Sequence, residues 1–127
     1  MNVVSLPTGL RGMLRVEGLC ELIVALVLYA HVSASWVTFA IAFLAPDLAL
    51  LGYFVNARVG AAAYNVTHSY VGPALTAVAG LALAPVALPF ALIWAAHIGF
   101  DRTLGYGLKS DAGFAQTHLG RIGRAAA

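Results

Sequence analysis

The segment from Leu92 to Lys109 reads LIWAAHIGFDRTLGYGLK. It is an apolar stretch that carries His97 and Asp101 four residues apart and then ends at a Gly-Tyr-Gly sequence. In a helix, residues four apart leave the same face about one turn from each other. The segment therefore predicts a hydrophobic helix that presents an imidazole and a carboxylate side by side.

The composition of the whole chain indicates where such a helix resides. Of its 127 residues, 61% are hydrophobic and only 9% are charged, and the mean hydropathy is +0.89. Soluble domains carry about 25% charged residues. Crossing a hydrocarbon layer about 30 Å thick takes about 20 helical residues, so the length allows four crossings. We predict an all-α polytopic membrane protein, a single domain built as a four-transmembrane-helix bundle.

Prolines, glycines and polar turns divide the apolar sequence into four predicted transmembrane helices. These cover residues 13–32, 36–55, 59–83 and 86–104, and a polar tail of residues 105–127 follows. Pro46 interrupts the second predicted helix, and Gly72 and Pro73 are expected to bend or loosen the third.

The basic residues predict the orientation. Arg11 and Arg15 precede the first helix, Arg58 lies between the second and third, and all other basic residues lie at or beyond the end of the fourth. Four crossings with both termini in the cytoplasm put every basic residue on one side, as the positive-inside rule requires. The expected partners are membrane lipids and not nucleic acid, since no basic cluster is dense enough to follow a phosphate backbone.

With this topology, ionisable residues from all four helices fall in the cytoplasmic half of the bilayer. An unpaired charge near a helix centre costs about 2.5–3.5 kcal/mol on insertion scales. We therefore expect these groups to face the interior of the bundle and to find partners there. The set comprises Glu17, Glu21, Asp47, His68, His97 and Asp101.

Three arrangements would satisfy these groups. In the first, they bind a divalent metal, because imidazole and carboxylate suit Zn, Mn or Fe. The predicted metal ligands are His68, His97, Asp101 and, from the tail, His118. In the second, the same groups form a metal-free acid/base site. In the third, they only hold the helices together by hydrogen bonds.

The candidate catalytic residues are His97, Asp101, Asp47 and Glu21. The last two are expected to act as supporting carboxylates. His118 could reach the site if the tail folds back under the bundle after the Gly-Tyr-Gly sequence. No cofactor motif is visible, although a bis-histidine haem between His68 and His97 is a further, less favoured alternative.

Six groups of residues resemble a family of small bacterial four-helix membrane proteins classed as a domain of unknown function. They are Leu14-Arg15-Val16-Glu17-Gly18, Ala45-Pro46-Asp47 with Gly52-Tyr53, Tyr64-Asn65 with His68 and Tyr70, His97-Ile98-Gly99-Phe100-Asp101-Arg102, Gly105-Tyr106-Gly107-Leu108-Lys109, and Thr117-His118-Leu119-Gly120. The likeness covers residues 14–124. It implies a location in the bacterial inner (cytoplasmic) membrane and a recurring residue set of Glu17, Asp47, His68, His97, Asp101 and His118, but no substrate.

The favoured function is a small membrane enzyme or metal-binding protein that handles a hydrophobic or lipid-like small molecule near the cytoplasmic face. Hydrolysis or isomerisation fits the residues better than redox chemistry. One alternative is a proton- or cation-coupled carrier, expected to be a homo-oligomer because four short helices barely enclose a path. The other is a non-enzymatic membrane scaffold.

Overall fold

The computed structural model describes residues 6–32, 35–109, 116–117 and 119–121. The described chain is helical, as predicted, with five α-helices, one 3-10 helix and two short strands. In chain order these are α1 (Thr8–Val32), α2 (Trp36–Phe43), the 3-10 helix (Ala45–Phe54), α3 (Ala57–His68), α4 (Val71–Ala82), α5 (Ala87–Leu104), β1 (Gln116–Thr117) and β2 (Gly120–Arg121).

The second predicted helix is divided at Leu44. Before it, α2 is capped by the Ser35 side chain, which accepts a hydrogen bond from the Thr38 amide. After it, the backbone tightens, and the Asp47 amide donates to the Leu44 carbonyl in the i to i−3 pattern of a 3-10 helix. The cause is Pro46, which lacks an amide hydrogen and whose ring clashes with the carbonyl four residues earlier.

The third predicted helix is divided in the same way. α3 ends at His68, Ser69 is extended, and α4 begins at Val71. The break comes slightly earlier than the bend predicted at Gly72 and Pro73, because the ring of Pro73 interferes with the carbonyl of the residue four positions before it, which is Ser69.

Length and composition single out one stretch as able to cross a membrane. Within the described parts of the chain, only Trp36–Phe54 is both long enough, at 19 residues, and apolar enough, with a mean hydropathy of 1.8 over an 18-residue window. α1 is longer, at 25 residues, but it contains four charged side chains that lower its hydropathy. The four separate crossings predicted from the sequence are therefore not distinguished by this criterion.

α5 is the central element of the bundle, and it packs against α1, α2 and α4. The closest approach is to α1, where Gly18 faces Gly99. A Cβ atom added to Gly18 would overlap Cβ of Arg102, and one added to Gly99 would lie 2.8 Å from the Gly18 carbonyl oxygen. Small residues at such crossings allow two helix backbones to approach closely.

The distribution of side chains differs from that in a soluble domain. Many large apolar side chains lie on the outside, with Phe54 87% and Leu83 86% exposed, whereas Ile93 and Ile98 are buried. Two histidines and a carboxylate lie inside, since His68, His97 and Asp101 are all buried. The buried polar residues are therefore the candidates for a functional site.

The tail contains a feature absent from the all-α prediction. β1 and β2 pair antiparallel, with Thr117 opposite Gly120, and Lys109 forms a further bridge to Thr117. Strands of two residues are too short to produce a recognisable alternation in the sequence. The strand pair is linked through this bridge to Lys109, whose backbone is hydrogen-bonded to Asn65 of α3.

Candidate metal centre

Four of the predicted site residues meet in the core. Asp47 comes from the 3-10 helix, His68 from the last position of α3, and His97 and Asp101 from one face of α5. Each offers one ligand atom, and these four atoms all lie within 4.8 Å of one another. We refer to Asp47, His68, His97 and Asp101 as the His/Asp cluster.

The distances within the His/Asp cluster fall in a narrow range. Nε2 of His68 lies 3.2 Å from Oδ1 of Asp47 and 3.4 Å from Oδ2 of Asp101. Nε2 of His97 lies 3.3 Å from each of the same two oxygens. The two Nε2 atoms are 3.1 Å apart. Five of the six distances between the ligand atoms therefore lie between 3.1 and 3.4 Å.

Helix breaks place two members of the cluster. Because the 3-10 helix begins next to Pro46, Asp47 lies in its first turn, where the carboxylate is also favoured by the helix dipole. His68 is the last residue of α3, so its side chain lies at the carboxyl end of that helix. His97 and Asp101 need no break, because the i,i+4 spacing alone brings their side chains together.

The proton of His68 is positioned by the backbone. Its Nδ1 lies 2.9 Å from the Tyr64 carbonyl oxygen and 2.9 Å from the Thr67 hydroxyl. A carbonyl oxygen can only accept, so Nδ1 carries the hydrogen in this contact. In a neutral imidazole the lone pair is then on Nε2 and points into the cluster. Metal-binding histidines are oriented by the same kind of second hydrogen bond.

His97 is held mainly by packing. Its side chain is 2% exposed, and its ring lies 5.0 Å from that of Phe43, measured between centroids. Among the described residues Nδ1 has no hydrogen bond of standard geometry, although the backbone of Phe43 is close by. The ring orientation therefore depends on the junction of α2 and the 3-10 helix.

Tyr64 supports two members of the cluster. Its ring stacks on that of His68 with centroids 3.7 Å apart and planes within 7°. Its hydroxyl lies 3.5 Å from Oδ2 of Asp101, a long hydrogen bond. Tyr64 is not among the residues predicted for the site, although its position four before His68 puts both on one helix face.

The tail is attached to α3 at the next residue. The Asn65 side chain donates to the Lys109 carbonyl at 2.7 Å and accepts from the Lys109 amide at 2.6 Å. The Lys109 ammonium lies 4.5 Å from the centroid of the Tyr64 ring, within cation-π distance. Burial lowers the pKa of Lys109 to about 8, and the attraction of Asp101 and Asp47 opposes this only in part.

Access to the cluster is from one side. The side chains of His68, His97 and Asp101 are 3%, 2% and 12% exposed, whereas that of Asp47 is 43% exposed. Three ligands are therefore enclosed, and the fourth lies at the opening.

Two further residues predicted for the site are not among the members of the His/Asp cluster, Glu21 because of its position and His118 because the structure does not describe it. Glu21 is not brought into the His/Asp cluster but lines a separate cavity of about 250 Å³ with Glu17, Tyr70 and Arg102. Its catalytic role stays a prediction. His118 lies outside the described residues, so its predicted role as a metal ligand is not addressed by the structure.

A comparison with protein families shows the family of the chain. A family described as a domain of unknown function, DUF4260, matches residues 11–122. The chain belongs to this family. The match confirms the resemblance to a family of unknown function, and all four members of the His/Asp cluster lie within the DUF4260 region. No curated protein and no solved structure matches the chain.

Proposed function

We propose that this DUF4260 protein binds a divalent metal ion, preferentially zinc, at the His/Asp cluster and uses it to hydrolyse or isomerise a hydrophobic, lipid-like small molecule. The observation that carries the proposal is the spacing of the four ligand atoms. Ligands about 2.0–2.1 Å from a tetrahedral zinc ion lie about 3.3–3.4 Å from one another. The five short distances in the cluster, 3.1 to 3.4 Å, agree with that value.

The excess of hydrogen-bond acceptors over donors in the cluster also favours binding of a cation. Both carboxylate oxygens are acceptors, and Nε2 of His68 is an acceptor when Nδ1 donates to the Tyr64 carbonyl. Without an ion, one hydrogen on Nε2 of His97 would have to serve three acceptors at 3.1 to 3.3 Å. A divalent ion contacts all four atoms at once, and the two carboxylates balance its charge. Charge balance is essential where burial makes an uncompensated ion costly.

The difference in exposure suggests separate roles for the ligands. His68, His97 and Asp101 form a buried two-histidine, one-carboxylate set, the ligand type of several catalytic zinc sites. When bound, the ion supplies Lewis-acid chemistry. Asp47 lies at the opening, where its carboxylate can leave the ion to a substrate and accept a proton from water.

The membrane setting is part of the same proposal. We infer four crossings of the bacterial inner membrane with both termini in the cytoplasm, because the exterior is apolar and the basic residues lie only on the side of the predicted bundle that holds both termini. α2 with the 3-10 helix would form the second crossing, and α3 with α4 the third. Interrupted helices are tolerated in membranes where the freed backbone faces protein, and both interruptions lie beside the cluster.

Metal analysis of the detergent-purified protein tests the proposal. We expect about one Zn, Mn or Fe ion per chain by mass spectrometry, and rebinding of zinc after treatment with a chelator. His68→Ala and His97→Ala should each remove the ion. His31→Ala is the matched control, since His31 is exposed near the end of α1. Failure of the wild-type protein to bind zinc, or zinc retained by both cluster variants, would contradict the proposal.

One observation supports a second candidate function, a proton-coupled carrier. The half-exposed Asp47 contacts both buried histidines, which are in turn in contact with each other. Such a chain of groups could transfer protons. In this case liposomes containing the protein would show a proton flux that Asp47→Asn abolishes, and zinc binding would not be required.

A further inference from the structure

An apolar cavity of about 280 Å³ lies next to the metal centre. We propose that it holds the hydrocarbon chain of a ligand whose polar head reaches the metal, so that the substrate is a linear acyl-type molecule with about nine carbon atoms in the cavity. This inference rests on the proposed metal-binding function and specifies its substrate class. The cavity is lined by Ala42, Ala45, Pro46, Thr67, Phe90, Ile93 and Trp94.

The polar side chains in the wall of the cavity are already hydrogen-bonded within the protein. The Thr67 hydroxyl lies 3.3 Å from the carbonyl oxygen of Pro46 in the 3-10 helix and also contacts two carbonyl oxygens of α3. The indole N–H of Trp94 donates to the Thr67 carbonyl. With both side-chain groups engaged, a polar ligand group placed here would lose its hydration without gaining a partner. The occupant is therefore hydrocarbon.

The cavity adjoins the metal centre along three chain segments. Pro46 immediately precedes Asp47, and Thr67 immediately precedes His68. Ile93 lies one helical turn before His97 on α5. The half-exposed Asp47 side chain marks where a head group would enter. A chain lying in the cavity would therefore have its polar end near the opening of the cluster.

The volume gives the scale of the hydrocarbon chain. A water molecule occupies about 30 Å³ in the liquid, and a methylene group is of similar size. A cavity of about 280 Å³ therefore accommodates roughly nine such groups.

Alkyl hydroxamates test the inference, because one head group binds the metal while the chain length is varied. We expect the zinc-loaded protein in detergent to bind octanohydroxamate at least tenfold more tightly than acetohydroxamate. In water the gain is about fourfold per buried methylene, and micelles reduce it. Ala42→Leu, which fills the cavity, should abolish the gain and leave acetohydroxamate affinity within twofold of the wild type.

The matched control is Ala62→Leu, the same change at an exposed position of α3 that does not line the cavity. It should bind both hydroxamates as the wild type does. Equal affinities of the wild-type protein for the two compounds, or equal losses in the two leucine variants, would overturn the inference. If zinc-loaded protein binds neither compound, the proposed metal function is wrong and the inference is overturned with it.

Fluorescence provides a second measurement. The chain has two tryptophans, so Trp36→Phe leaves Trp94 in the cavity wall as the only one. We expect 8-bromooctanohydroxamate to quench its emission and acetohydroxamate not to. Quenching that persists unchanged after Ala42→Leu is added would show that the bromoalkyl chain lies in the micelle, and would overturn the inference.

Discussion

The Nε2 atoms of His68 and His97 lie 3.1 Å apart, although the two residues are separated by 29 positions and belong to different helices. Their rings meet edge to face, with planes at 65° and centroids 5.0 Å apart. Each ring is held from its own side, since Tyr64 stacks on His68 and Phe43 packs against His97. The two nitrogens are therefore positioned before any ligand binds.

The two carboxylates of the cluster should differ in their effect on metal affinity. Asp101 is largely enclosed, so Asp101→Asn is expected to weaken zinc binding by roughly 100-fold or more, the cost of removing one partner from a buried charged group. Asp47 is 43% exposed, and Asp47→Asn should cost less than about tenfold, because solvent screens exposed pairs. Competition with a fluorescent zinc chelator measures both. Equal losses in the two variants would contradict the proposed roles.

Tyr64 should influence the metal through the groups it orients. Tyr64→Phe keeps the ring on His68 and removes the hydroxyl near Asp101, so zinc affinity is expected to fall by about tenfold, at the lower end of losses for second-shell partners. Tyr64→Ala also removes the stacking and should cost more. The same chelator titration applies, with the exposed Tyr106→Phe as control. Unchanged affinity in Tyr64→Phe would show that the 3.5 Å contact has no role.

The contact between α1 and α5 should be sensitive to a single methyl group. Gly99→Ala would place Cβ 2.8 Å from the Gly18 carbonyl oxygen and 2.9 Å from the Leu22 amide, both backbone atoms that cannot move alone. We expect the free energy of unfolding in detergent to fall by about 1–3 kcal/mol. Gly12→Ala has open space around its Cβ and should be neutral or slightly stabilising. A stable Gly99→Ala variant would contradict the close approach.

Lys109 predicts a pH dependence of stability. Its pKa is about 8 in the folded chain and has its ordinary value of 10.5 when unfolded. Between these values the unfolded chain binds one proton more, so the free energy of unfolding rises with pH. Below about pH 8 both states are protonated and the contribution is constant. Denaturation in detergent from pH 7 to 10.5 measures the effect.

Lys109→Arg is the control for this prediction, because a guanidinium stays charged throughout the range. Lys109 is the only lysine in the chain, and the titration of other groups is common to both proteins. The difference in unfolding free energy between wild type and variant should therefore increase with pH. A difference that does not change with pH would show that the ammonium is not desolvated in the fold.

The sequence predicted the helical fold and two of its interruptions, because proline acts locally. Pro46 was expected to interrupt the second helix, and the break occurs at Leu44. The third helix breaks at Ser69, three residues before the predicted bend begins. Both positions follow from the reach of a proline ring back to the preceding turn, an effect that needs no knowledge of tertiary contacts.

The supporting residues could not be predicted in the same way. The pairing of Asn65 with the Lys109 backbone joins positions 44 residues apart, and neither residue type indicates the other. The stacking of Tyr64 on His68 could be predicted in part from the sequence, since the i,i+4 spacing places both residues on one helix face. The location of Glu21 in a separate cavity with Arg102 depends on the rotation of α1 against α5, which small differences in packing decide.

The sequence alone determined the apolar helices and the presence of ionisable groups within them, because hydropathy and the effect of proline depend on the local sequence. Only the tertiary structure decided which of those groups meet. Asp47, His68, His97 and Asp101 converge because α5 lies at the centre and two broken helices end beside it. Glu21 does not join the His/Asp cluster, because its position on α1 makes it part of the wall of another cavity. Convergence depends on distances between segments far apart in the chain, and no local pattern encodes those distances.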